Sequence, residues 1–142
     1  MTNFKNIIKE NKDFMIKTRR YLHENPELSS QEYNSSSFFK NYLDEWNIPY
    51  STAGNTSIVA KIVGNQNGKT IAIRGDFDAL PIQENTGLNF SSKNNGVMHA
   101  CGHDFHGTYM LTLAKILKDL KNEINGTIKI IFQEGEEIGA GA

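Results

Sequence analysis

Apolar side chains recur at helical spacing along the first two dozen residues. Phe4, Ile7, Ile8, Met15 and Leu22 fall close to one face, so an amphipathic helix is expected over residues 3 to 24. Asn25-Pro26 ends it, because proline disfavours helical geometry in the residue before it. Ser29-Ser30-Gln31-Glu32 reads as a capping box, with Ser29 as N-cap and Glu32 three residues on, opening a second helix to about Trp46. From Ser57 the pattern changes to β-branched runs. Ser57 to Val63 and Thr70 to Ile73, separated by turn formers around Gly64 and Gly68, could pair as a hairpin. Phe77 to Gly107 is polar and lacks periodicity, as functional loops often do. Thr108 to Leu120 predicts a further helix and Thr127 to Phe132 a last strand. Helices and strands mixed in this order predict an α/β layered domain.

Composition narrows the picture little. A chain of 142 residues, 38% hydrophobic, can bury one core. A formal net charge of −1 gives no electrostatic reason to expect nucleic acid or an anionic membrane as partner. No apolar run approaches the ~18 to 20 residues of a membrane span. Lys5, Lys9, Glu10 and Lys12 make the start too charged for an export signal, so a cytoplasmic protein is expected. One cysteine excludes an internal disulfide.

Candidate chemistry gathers in three clusters. Arg74-Gly75-Asp76-Phe77-Asp78 follows an apolar strand and sets two carboxylates at alternate positions, to bind a metal or orient a ligand, or simply as a charged turn with Arg74 neutralising one Asp. Met98 to His106 holds His99, Cys101, His103, Asp104 and His106. Cys101 and His103 are donors suited to borderline-soft divalent metals, and Asp104 could accept from a ligating histidine. Glu134-Gly135-Glu136-Glu137 follows the last strand, where one carboxylate can ligate metal and its neighbour activate water.

The segments Arg-Gly-Asp-Phe-Asp-Ala-Leu-Pro-Ile (74 to 82), Met-His-Ala-Cys-Gly-His-Asp (98 to 104) and Gln-Glu-Gly-Glu-Glu (133 to 137) resemble the M20 peptidase family. Together with Tyr21 to Leu28, they look most like its branch of hippurate hydrolase, N-acyl-diaminopimelate deacetylase and auxin-conjugate hydrolases. The resemblance implies the N-terminal part of a zinc-peptidase-like catalytic domain, a mixed β-sheet flanked by helices, over residues 1 to 142. The dimerising lid domain and C-terminal catalytic segment would lie outside it. It further implies Cys101, His103 and Glu137 as metal ligands, Glu136 as general base and Asp76 as a supporting catalytic carboxylate. Two divalent ions (zinc, or manganese, nickel or cobalt) would serve cleavage of N-acyl amino acids or small peptides, in a parent that forms a homo-dimer or larger homo-oligomer. Glu134-Gly135 departs from the Pro-Ala common in relatives. Two other readings stay open. Cys101 could be a nucleophile with His99 or His106 as its base. Alternatively, the chain is a truncated fragment that only binds metal or a partner.

Overall fold

The computed structural model describes residues 4–141; the start of the expected first helix, at residue 3, lies outside them. The expected single helix is two, α1 (Phe4–Glu10) and α2 (Lys12–Glu24). Asn11 separates them. Its side-chain amide donates to the Ile7 carbonyl at 2.9 Å, and its Oδ1 accepts from Lys115 Nζ at 2.8 Å. A side chain that competes for helical carbonyls in this way favours a break.

The second predicted helix is α3 (Tyr33–Glu45), but the capping box does not form. Ser29 Oγ donates instead to Asp78 Oδ2 at 2.7 Å. Glu32 is fully buried and accepts from the amides of Ser30 and Gly135. The first turn of α3 is satisfied by Glu27, whose carboxylate accepts from the amides of Asn34 (3.0 Å) and Ser35 (2.7 Å).

Strands β1 (Tyr50–Ala53), β2 (Ser57–Val63), β3 (Gln66–Asp76) and β4 (Asn125–Gln133) form one mixed sheet in the order β1-β2-β4-β3. The expected hairpin of β2 with β3 is therefore wrong. β4 lies between them, antiparallel to β2 and parallel to β3. Ile128, Ile130 and Phe132 of β4 are apolar at alternate positions and are buried beside their partners Ile62, Ala60 and Ile58. Placing the more apolar β4 at the centre buries that row on both sides. β3 is exposed over most of its length and takes the edge. Strand β1 escapes the sequence pattern because Tyr-Ser-Thr-Ala is short and mostly exposed.

Helix α4 (His103–Asp119) starts five residues earlier than its apolar periodicity suggests. Gly102, at φ +88°, turns the chain into a first turn made of His103, Asp104 and His106 rather than apolar residues. Met110, Leu111 and Ala114 then join Leu22, Phe39 and Phe132 in the core. Gly107 is where α4 comes closest to that core. A Cβ there would stand 2.9 Å from Phe39 Cζ and 3.2 Å from Leu22 Cδ1. This approach lets the start of α4 meet the ends of β3 and β4. Among the described residues no helix is long and apolar enough to cross a membrane.

Candidate metal centre

β3 ends at Asp76, in line with Gln133 at the end of β4. The carboxylates of the first cluster and the paired glutamates of the third thus leave the same end of the sheet, and α4 begins above them. His103 is the centre of the assembly. Its Nδ1 lies 2.9 Å from Asp78 Oδ1, while Nε2 faces Asp76 (3.4 Å), Glu136 (3.8 Å) and Glu137 (3.8 Å). Burial opposes a charged imidazole here. The Asp78 hydrogen bond and the charges of Asp76, Asp78 and Glu137 outweigh it and raise the His103 pKa. Asp78 is lowered although burial opposes it, because it accepts from His103, the Glu137 amide and Ser29.

The expected carboxylate partner of the ligating histidine is corrected from Asp104 to Asp78. Asp104 points away from the centre, with its Oδ2 2.7 Å from His23 Nδ1 and 2.8 Å from Arg19 Nε. The other nitrogen of His23 lies 3.2 Å from Glu84, which also accepts from the Ser92 amide and Thr86. Phe90 stands edge-on to His23, and the Arg19 guanidinium lies 4.6 Å above the Phe105 ring. This buried cluster ties α2, the 77–102 loop and α4 together. The signal for Asp78 was its alternate position after Asp76; its contact with a residue 25 positions on was not readable.

Two sets of donor atoms lie within 4.8 Å of one another: Cys101, His103 and Glu137, and Asp76, His103 and His106. The chain therefore holds two overlapping clusters consistent with a dinuclear divalent-metal site. His106, considered in the sequence only as a possible base, holds Asp76 through Nδ1 at 2.6 Å and stacks on His103. Arg74 also reaches Asp76, at 3.1 Å, so the neutralising role open to it is realised. The residues fit a cation on their own chemistry. Glu137 Oε1 is buried, has no hydrogen-bond partner among the described residues and faces His103 Nε2. Desolvation, then the charge of Glu137, with Glu136 and Asp76 beyond, push the Cys101 thiol pKa up. A dication would reverse that balance and hold the thiolate.

Glu134, which the sequence offered within the third cluster and as a departure from a family pattern, has a structural place beside the centre. It is buried and its carboxylate accepts from the amides of Asn55 (3.0 Å) and Ser57 (3.2 Å) and from Thr56. It thereby pins the end of β4 to the β1–β2 turn, directly before Glu136 and Glu137.

The chain matches the peptidase family M20/M25/M40 over residues 72–142, half its length, and belongs to that family. It is 47% identical over 129 residues to N-acetyl-L-cysteine deacetylase of Bacillus subtilis, covering 90% of this chain and 31% of the relative. It is 44% identical over 138 residues to an N-acyl-L-amino acid amidohydrolase of Geobacillus stearothermophilus, covering 96% and 37%. The crystal structure of a Bacillus subtilis dinuclear metal binding peptidase of the M20 family superposes with a TM-score of 0.89 at 45% identity, covering 94% of this chain and 38% of that one. The chain thus spans about a third of the length of these relatives, and its two donor clusters are consistent with a dinuclear metal site of that family.

Proposed function

We propose that the protein is a metal-dependent amidohydrolase that cleaves the amide bond of N-acyl amino acids or small peptides. The observation that carries this is Cys101, His103 and the orphaned Glu137 Oε1 converging beside Glu136. The names of the relatives support the substrate class. In this reading Cys101, His103 and Glu137 ligate, and Asp78 holds the His103 ring so that Nε2 points inward. Zinc or manganese bound there would polarise the amide carbonyl and acidify water. Glu136, half-exposed beside these donors, takes the proton from the attacking water and returns it to the leaving amine. Asp76, held between His106 and Arg74, supports the second cluster.

Nothing favours the cysteine nucleophile. The thiol is surrounded by acids that keep it protonated, whereas a nucleophile needs the thiolate. His99 is buried, with its pKa lowered by burial to about 4, and His106 is spent on Asp76.

Glu136→Gln should lower turnover of N-acetyl and N-benzoyl amino acids by about 10² to 10⁴-fold with metal content unchanged. Cys101→Ser should lose metal, and Cys101→Asp should retain more of it. Full metal binding by Cys101→Ser, or undiminished turnover by Glu136→Gln, would refute the assignment.

A further inference from the structure

We propose that Glu32 is held as the protonated acid, donating through the Thr56 hydroxyl to ionised Glu134, and in this form positions the turn that carries Glu136 and Glu137. The proton follows from the fold alone; its bearing on metal rests on the amidohydrolase reading.

Hydrogen count is the first argument. Thr56 Oγ1 lies 2.7 Å from Glu32 Oε2 and 2.6 Å from Glu134 Oε2. A threonine hydroxyl has one hydrogen to donate, and an ionised carboxylate has none. With both acids ionised, one of these two contacts would set oxygen lone pairs against each other with nothing between them. One added proton turns the contacts into a chain, in which one acid donates to Oγ1 and Oγ1 donates to the other.

Burial is the second. Glu32 is 0% exposed, Thr56 1% and Glu134 7%. Among the described residues, the groups that bond to either carboxylate are backbone amides and the Thr56 hydroxyl, with no lysine, arginine or histidine. Two buried acids that share a hydroxyl and lack a counter-ion favour holding one proton between them.

The donors decide which acid keeps it. Glu134 accepts from the Asn55 amide at Oε1 and from the Thr56 and Ser57 amides at Oε2, so N–H groups meet both its oxygens. Burial opposes its ionisation, yet the Thr56 hydroxyl and these amides lower its pKa. Glu32 takes both its amide donors, Ser30 at 2.9 Å and Gly135 at 2.8 Å, on Oε1. That leaves Oε2 to bear the proton, with Thr56 Oγ1 in front of it as acceptor.

The same carboxyl reaches toward the centre. Glu32 Oε1 holds the Gly135 amide, and Glu136 and Glu137 follow on a 3-10 turn. On the other side of Gly135, the Glu134 amide donates to Ser57 Oγ at 3.0 Å. The Thr56 carbonyl accepts from Ser36 Oγ at 2.7 Å, which ties the chain of protons to α3.

Carbon-13 NMR of the glutamate side-chain carboxyls tests the proton directly. At neutral pH the signal lost in Glu32→Gln should lie where a protonated acid resonates, and the signal lost in Glu134→Gln where a carboxylate does. Glutamine reproduces protonated glutamate, because its amide donates where the acid would. Glu32→Gln should therefore keep the urea midpoint and leave zinc affinity, by calorimetry, within about twofold, whereas Glu32→Ala and Thr56→Val should weaken zinc about 10-fold. Thr56→Ser, which keeps the hydroxyl, should restore it. Glu32→Met keeps the volume and removes the bonds, so it replaces the alanine variant if that one misfolds. A carboxylate signal for Glu32, or damage from Glu32→Gln equal to that from Glu32→Ala, would overturn the proton. Zinc held by folded Glu32→Ala or Glu32→Met as tightly as by the unaltered protein would overturn the positioning role. Failure of the unaltered protein to bind zinc would overturn the metal-centre reading and the positioning role with it, while the carboxyl signal would still locate the proton.

Discussion

Two histidine–carboxylate clusters stand back to back at the start of α4, and they differ in what they leave unspent. On one side His23 is enclosed: Asp104 holds one ring nitrogen, Glu84 the other, and Arg19 and Phe90 complete the surroundings. On the other side His103 gives Nδ1 to Asp78 and leaves Nε2 facing three carboxylates at 3.4 to 3.8 Å, longer than a hydrogen bond. Adjacent residues, His103 and Asp104, serve the two clusters. The same pair of residue types therefore builds a tether where both nitrogens are used and a coordination site where one is kept back.

The tether should break with the largest effect. His23→Ala leaves Asp104 and Glu84 buried without their shared partner, at an expected loss of about 3–5 kcal/mol in urea unfolding of the metal-free protein. A loss under about 1 kcal/mol would mean that Arg19, Thr86 and Ser92 suffice. The coordination side should respond differently. Asp78→Asn should weaken zinc or manganese binding by about 10 to 100-fold, while Asp104→Asn should leave the affinity nearly unchanged. Equal losses in the two variants would erase the distinction between the clusters.

Which carboxylate serves which histidine was the part the sequence could not supply. Cys101, His103, Glu136 and Glu137 are legible because they lie in short, chemically unusual motifs, and all of them reach the centre. Asp78 and Asp104 are equally polar and equally near in sequence to a predicted ligand; only the turn at Gly102 and the closeness of Gly107 to Phe39 decide their partners. The α/β class, the end of α3 and the core of β4 were legible from the sequence pattern. The place of β4 between β2 and β3 was not, because turn formers between two apolar runs fit a hairpin as well as a crossover. Ser29 to Glu32 failed as a capping box for a similar reason. Its local pattern was overridden by Asp78, Thr56 and Gly135, none of them close in sequence.

The smallest expected effect sharpens the comparison through pH. Burial opposes ionisation of Glu134 and Glu84, but their hydrogen bonds win and hold both below the ordinary value of 4.5. Asp78 likewise lies below 3.8. Carboxylates with lowered folded pKa values stabilise fully above their unfolded values, and that contribution is lost as pH falls through the folded ones. Urea unfolding of the metal-free protein should therefore show stability declining as pH drops below 4.5. Glu134→Gln should lose on the order of 1 kcal/mol at neutral pH and decline less steeply in acid. An unchanged slope would show that Glu134 contributes nothing to the acid response.

The central position of β4 also has a consequence for a chain emerging from the ribosome. Until residues 125–133 are made, β3 has no strand to join, and among the four described strands only β1 and β2 can pair. Cys101 and His103 are synthesised well before Glu136 and Glu137, so those two donors would wait without their carboxylates until the last strand docks. A nascent chain stalled before residue 125 should thus present an unpaired β3 edge and a metal site lacking its acids, and both would be completed together as β4 enters the sheet.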